Sequence, residues 1–439
     1  MSLATCLKAS PLSRFRPSML TPSTLRFRLV TALVLLATLS ACDFEGSSLY
    51  DPDAERNSAP VVTDVSAPFS VVLAGIDVVT VNGQNFSATP EDNIVVFDDG
   101  QGNSASGTVL SASPTQLEVR VPNLINPALR MRVAVIGSPE YSNAVDLPLS
   151  PAFTLVDSIV PNLGESPRAL GNGTDGSLYV TLYVNNSAAG IIRFGTDGSR
   201  SPYSTESVLW TGLAPAADGT LFGVRQNRGV YTIPAGSSSD VTVRSIPSGT
   251  LRDVAAAGDG TYWTGGTNTN VTARALYRFT ADGTVTATVP FAEPVTSLTV
   301  ADGALYVASA TSDAGSVVDS KVRRFPFTPD GLGPGEVLLD VTAQFGAGVG
   351  ANALAVAADG TVFVATNAPD PLITISPSGE AALIYPGILP SPLVDLAWGT
   401  GQVLYLLQGL TPEEVESPTG GFLDLYRLQA RIPGPFAGL

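Results

Sequence analysis

Three oxygen-bearing side chains hold the sequence's best prospect of chemistry: Asp253, Asn352 and Asp395. Each opens a run of small and apolar residues: Asp253-Val-Ala-Ala, Asn352-Ala-Leu-Ala-Val and Asp395-Leu-Ala-Trp. Carboxylates and an amide oxygen are hard donors that suit a divalent cation such as calcium, and a cation so held can polarise a carbonyl. The same groups also serve as strand caps or water-bound acids, and that plainer role is the leading expectation. No residue is assigned a catalytic role. The 439 residues contain no histidine. That removes the usual general base, the usual pH switch and the commonest zinc ligand, and with them Ser-His-Asp and Cys-His hydrolases.

Other motifs carry less. Asp-Gly pairs are frequent, but no Asp-x-Asp-x-Asp-Gly run with a distal Glu is present, so hairpin geometry accounts for them better than calcium loops. Gly346-Ala-Gly-Val-Gly350 lacks the Lys-Ser/Thr of a phosphate loop and reads as loop.

The elements that must position the three residues come from a repeat. An Asp-Gly turn followed by a short apolar strand recurs at Asp175-Gly176, Asp218-Gly219, Asp259-Gly260, Asp302-Gly303 and Asp359-Gly360, with a decayed copy at Thr400-Gly401. The steps are 43, 41, 43, 57 and 41 residues. Asp-Gly tolerates the positive φ of tight hairpins, and the following aromatic and β-branched residues favour strand. A period near 42 built from short strands predicts propeller blades, here six of them over 152–439. A small-residue strand precedes each main turn, as converging inner strands require. The long step predicts insertions at Ala310–Asp319 and Pro326–Gly335, both in loops on one face. The last repeat lacks an outer strand, and Ala152–Val160 is a strand without a blade; pairing the two closes the ring.

This repeat is similar to NHL and related six-bladed propellers. Asn352-Ala-Leu-Ala-Val, ahead of Asp359-Gly360, resembles the Asn-Gly-Leu segment of gluconolactonase-type propellers. Those enzymes hold a divalent cation with one Glu plus Asn and Asp residues. The resemblance implies a cation, calcium foremost, bound by Asp253, Asn352 and Asp395 at the propeller axis. The segment here lacks the Gly, and Glu165 is the nearest counterpart of the Glu by position.

Ahead of the propeller, residues 59–149 show strand alternation. Leu117, Val119 and Val121 face inward while Gln116, Glu118 and Arg120 face out; Leu129, Met131, Val133 and Val135 keep the same period. Val79-Thr-Val-Asn-Gly-Gln-Asn-Phe86, Asn93-Ile-Val-Val-Phe97 and Ser113-Pro-Thr-Gln-Leu-Glu-Val-Arg-Val-Pro122 resemble an IPT/TIG domain, which implies an immunoglobulin-like sandwich used as a spacer or binding module. The chain is therefore read as all-β: a sandwich and a propeller, separately patterned and joined by Leu149-Ser150-Pro151.

The N-terminus supplies an address. Arg26 and Arg28 precede an apolar run from Leu29 to Leu39, too short for a bilayer span, that leads into Leu39-Ser40-Ala41-Cys42. That tetrapeptide resembles the lipobox of bacterial lipoproteins. Residues 1–41 are then a signal peptide, Cys42 the lipidated first residue of the mature chain, and 42–58 a polar, acidic, flexible tether. The expected location is the cell envelope, with the membrane reached through the anchor. Beyond residue 41 the chain holds 18 basic against 39 acidic residues, a balance that disfavours nucleic acid. Binding or scaffolding toward a protein or glycan partner is the leading functional expectation, and cation-dependent hydrolysis of the lactonase type is the alternative.

Overall fold

The computed structural model describes residues 58–159, 164–246, 249–329, 331–410 and 423–436. The signal, Cys42 and all but the last residue of the tether lie outside them. No helix among the described residues is long and apolar enough to cross a membrane.

Residues 61–150 form the sandwich. One sheet pairs Val61–Ser66, Val78–Gln84 and Gln116–Arg120; the facing one pairs Asn93–Asp98, Arg130–Val135 and Val145–Asp146. Ser104–Ser113 belongs to both, pairing its first half with Asn93–Asp98 and its second with Gln116–Arg120. The alternation read from sequence holds, since Leu117, Val119, Val121, Leu129, Met131, Val133 and Val135 are all buried. Phe86 folds back over this core, and a Cβ on Gly83 would sit 2.4 Å from its ring and 2.1 Å from the Val61 carbonyl oxygen. Gly83 is thus required for space.

The propeller has six antiparallel sheets, five of four strands and the fourth of five. Their inner strands are Glu165–Asn172, Gly212–Pro215, Thr250–Ala256, Val295–Ala301, Ala351–Val356 and Leu393–Trp398, each packed on the next, with the sixth returning to the first. Closure works as expected. Phe153–Leu155 becomes the outer strand of the sixth blade, with Phe153, Thr154 and Leu155 opposite Leu428, Arg427 and Tyr426.

Two expectations need correction. The insertions of the fourth blade do not share a face. Ala304–Asp313 and Ser316–Thr328 are long strands joined at Ala314-Gly315 on the face where inner strands begin, whereas Gly331–Leu332 pairs with the end of Ser316–Thr328 on the opposite face. Alternating Ala, Ser, Thr and Val residues let the first insertion simply prolong the hairpin.

The Asp-Gly turns also differ from the expected pattern. Only at Asp302-Gly303 do both residues have positive φ (47° and 66°). At Asp175, Asp218, Asp259 and Asp359 only the Gly does, and the Asp instead accepts a hydrogen bond from the amide two residues on, at 2.9 to 3.0 Å. Asp is there as an acceptor that closes the turn.

A second tie joins sandwich and propeller beyond the linker. Arg431, at φ 61°, donates to Asp77 Oδ2 (2.5 Å) and the Val71 carbonyl (2.6 Å), and covers the Phe69 ring at 3.9 Å.

Candidate functional site

The inner strands share a defect that builds the site. Pairing with the second strand slips by one residue between Pro167 and Ala169, Leu251 and Asp253, Val295 and Ser297, Ala351 and Ala353, and Leu393 and Asp395. The skipped residues are Arg168, Arg252, Thr296, Asn352 and Val394. A bulge re-aims one side chain off the two-residue period, and all five line one cavity of about 280 Å³. Leu209, Trp210, Thr211 and Gln226 complete it from the second blade, so every blade contributes and the cavity lies on the propeller axis.

One position after each bulge comes a second ring: Ala169, Asp253, Ser297, Ala353 and Asp395, with Gly212 from the second blade. Its polar members stitch neighbouring blades. The Leu298 amide (2.7 Å) and the Ser297 hydroxyl (3.1 Å) donate to Asp253 Oδ2, and the Val254 amide donates to Oδ1 (2.8 Å). Asp395 accepts from the Leu170 amide (2.7 Å) on Oδ2 and the Leu396 amide (2.8 Å) on Oδ1. Gly212 is small of necessity, because a Cβ there would lie 2.5 Å from Asp253 Oδ1.

Both carboxylates sit deep in the ring yet meet solvent through the cavity. Burial, which penalises the charged form, pushes Asp253 up to about 6 against the hydrogen bonds it accepts. Burial likewise raises Asp395 to about 7, and the Asp253 charge adds to the rise. The Arg252 charge pulls both down. Arg168 is half-buried, lies 4.7 Å over the Tyr183 ring, and keeps an Nε with no hydrogen-bond partner; burial lowers its pKa.

The three sequence-predicted residues therefore do converge on one cavity, in two roles. Asp253 and Asp395 stitch blades, while Asn352 is a bulge residue that donates to the Leu393 carbonyl (2.8 Å). Glu165 is elsewhere, in a two-pronged ion pair with Arg200 (2.7 and 2.9 Å). Arg168 and Arg252 were missed. Their signal was position, directly ahead of the small-residue ring, but a bulge is invisible to period-two reading.

A second depression of about 330 Å³ adjoins the axial cavity and shares Leu209 and Gln226 with it. It runs over the second blade along Ser207, Val208, Arg225 and Asn227. Arg225 is fixed by Asp240 (3.5 Å) and the Tyr231 ring (4.2 Å).

Residues 60–147 match the family model of the IPT/TIG domain. An IPT/TIG domain precedes a six-bladed propeller. No curated protein matches the chain. Among solved structures it is similar to a structural genomics protein of unknown function from Bacteroides thetaiotaomicron, at 13% identity over 86% of this chain and 99% of that one (TM-score 0.42). It is also similar to a putative gluconolactonase, at 16% identity over 61% and 90% (TM-score 0.44). A third is a calcium-binding regucalcin from Agrobacterium tumefaciens, at 13% over 62% and 93% (TM-score 0.44). These are likenesses of fold, and the chemistry beside the IPT/TIG domain must be read from the chain's own residues.

Those residues fit a divalent cation poorly. Among the described residues no group of three or more His, Cys, Asp or Glu side chains could hold a metal. All four carboxylate oxygens at the axis already accept hydrogen bonds. Two guanidinium groups share the cavity and would repel the ion.

Proposed function

We propose that the protein is a lipid-anchored, extracytoplasmic glycan-binding protein, held to the membrane through Cys42 and binding at the mouth of its propeller axis. The supporting observation is the pair of adjoining cavities, about 280 and 330 Å³, that share Leu209 and Gln226. Together they reach the roughly 300–1,000 Å³ of ordinary ligand sites. Their shape, a deep end and an outward run over one blade, suits a chain of units better than a single small molecule. Thr211, Gln226, Asn227, Thr296 and Asn352 offer hydrogen bonds to hydroxyls, and Leu209 adds apolar surface. Cation-dependent lactone hydrolysis would need a metal that the axial donors do not suit.

Titration calorimetry on the mature protein tests this with mono-, di- and tetrasaccharides. Affinity should rise with length, and Gln226→Ala should weaken the tetrasaccharide about tenfold, the cost of one good polar contact. Millimolar calcium should leave the melting temperature unchanged. A rise abolished by the double substitution Asp253→Asn and Asp395→Asn would replace glycan binding with the hydrolase reading. For the anchor, Cys42→Ser should move the protein from the membrane to the soluble fraction.

A further inference from the structure

Resting on the glycan reading, we infer that the bound glycan is acidic, and that Arg168 and Arg252 seat a carboxylate of one of its sugar units at the axial end of the cleft. Both arginines line the 280 Å³ cavity, and neither forms a salt bridge among the described residues. The Arg168 Nε is enclosed with no hydrogen-bond partner. A guanidinium only donates, in a planar fork matched to a carboxylate. An anion bound in the cavity would meet both cations.

The axial carboxylates do not already supply that anion. Their oxygens are held by backbone amides within the ring, and neither forms a salt bridge with Arg168 or Arg252 among the described residues. Hydroxyl recognition remains available in the same cavity, from Asn352, Thr296 and Thr211. A sugar acid combines both demands: a carboxylate for the fork and hydroxyls for the amide and threonines. The acidic surface of the chain opposes such a ligand only at long range, since charges are screened beyond about 8 Å at physiological salt.

The experiment is calorimetry on the mature protein with tetramers of galacturonate, glucuronate and mannuronate, each against its carboxyl-reduced neutral counterpart. At least one uronate should bind about tenfold more tightly than its neutral form, as a charge-assisted, two-pronged contact would give. Arg252→Gln should bring the uronate down to the neutral affinity and weaken the neutral tetramer by far less than the uronate. Arg252→Lys should retain part of the preference. Arg168→Gln should act like Arg252→Gln; because Arg252 is exposed, its variants decide the matter should Arg168→Gln fail to fold. Equal binding of acid and neutral forms would overturn the carboxylate seat and leave the glycan reading standing. Binding of neither would overturn both.

Discussion

Asp253 and Asp259 lie six residues apart on the same blade, and their carboxyls are shifted in opposite directions. Each accepts three hydrogen bonds. Asp259 takes them from the Thr261 amide (3.0 Å), the Thr261 hydroxyl (2.6 Å) and Arg278 (2.5 Å), at the exposed turn. The Thr261 hydroxyl bond is foremost in holding its carboxyl below the usual range. Asp253 takes its three from Leu298, Val254 and Ser297, yet burial lifts it to about 6. Asp259 has a cationic donor, Arg278, that Asp253 lacks, but for Asp253 the foremost cause is burial, which outweighs all three of its hydrogen bonds. Turn acids such as Asp197, Asp218 and Asp282 are lowered chiefly by hydrogen bonds from neighbouring Ser and Thr residues. The axial acids serve as glue between blades, and burial there raises the pH at which they ionise.

Cutting both acids to alanine should separate the two settings most sharply. Asp253→Ala leaves the Leu298 and Val254 amides and the Ser297 hydroxyl without their acceptor inside the ring. At about 1–3 kcal/mol per stranded buried group, partly relieved by cavity water, the loss should be about 3 kcal/mol in chemical denaturation. Asp259→Ala at the wet turn should lose less than about 1 kcal/mol. Equal losses would mean that the ring is no drier than the rim.

The next effect is in pH. The folded values of Asp253 and Asp395, about 6 and about 7, stand above the ordinary 3.8. The folded state therefore binds more protons than the unfolded one between those limits. The stability these groups contribute is fully present below about pH 4 and is lost as pH rises through 6 and 7. Between pH 5 and 8 unfolding free energy should fall by about 2 kcal/mol, less than the shifts alone imply because cavity water screens the charges. Asp395→Asn should flatten that slope. The turn acids act in the reverse sense and only in acid, losing their contribution as pH drops below about 4. A wild-type curve that is flat or rising from pH 5 to 8 would contradict the raised axial values.

Much of this arrangement was legible in the chain because local rules wrote it. Asp-Gly followed by an aromatic strand marks a blade, and small residues ahead of it mark an inner strand. Ala152–Val160 is legible as the closing strand because it has no other partner; the ladder spans Phe153–Leu155, with backbone hydrogen bonds from Ala152 to Val156. What escaped depends on departures from period two. Arg168 and Arg252 point to the axis only because the strand slips beneath them. The long step of the fourth blade escapes for a related reason: polar, small residues that suggest a loop here prolong two paired strands. Arg431 gave no signal, since its partners Asp77 and Val71 lie more than 350 residues away in sequence.

The smallest expected effect sharpens the comparison within the rim itself. Asp218 and Asp302 occupy the same place in their repeats, but the side chain of Asp218 accepts from the Thr220 amide (2.9 Å), while Asp302 sits at φ 47° in a two-residue turn. The first residue is chosen as an acceptor and the second for its backbone. Asp218→Ala should therefore cost about 0.5–1 kcal/mol, the worth of an exposed turn hydrogen bond. Asp302→Asn should be neutral or stabilising by a few tenths of a kcal/mol, because Asn leads at positive φ in turns of this type. The paired readout is the shift in denaturation midpoint at constant slope. Opposite or clearly unequal shifts are expected. Matching losses would show that one physical rule, and not two, placed aspartate at both turns.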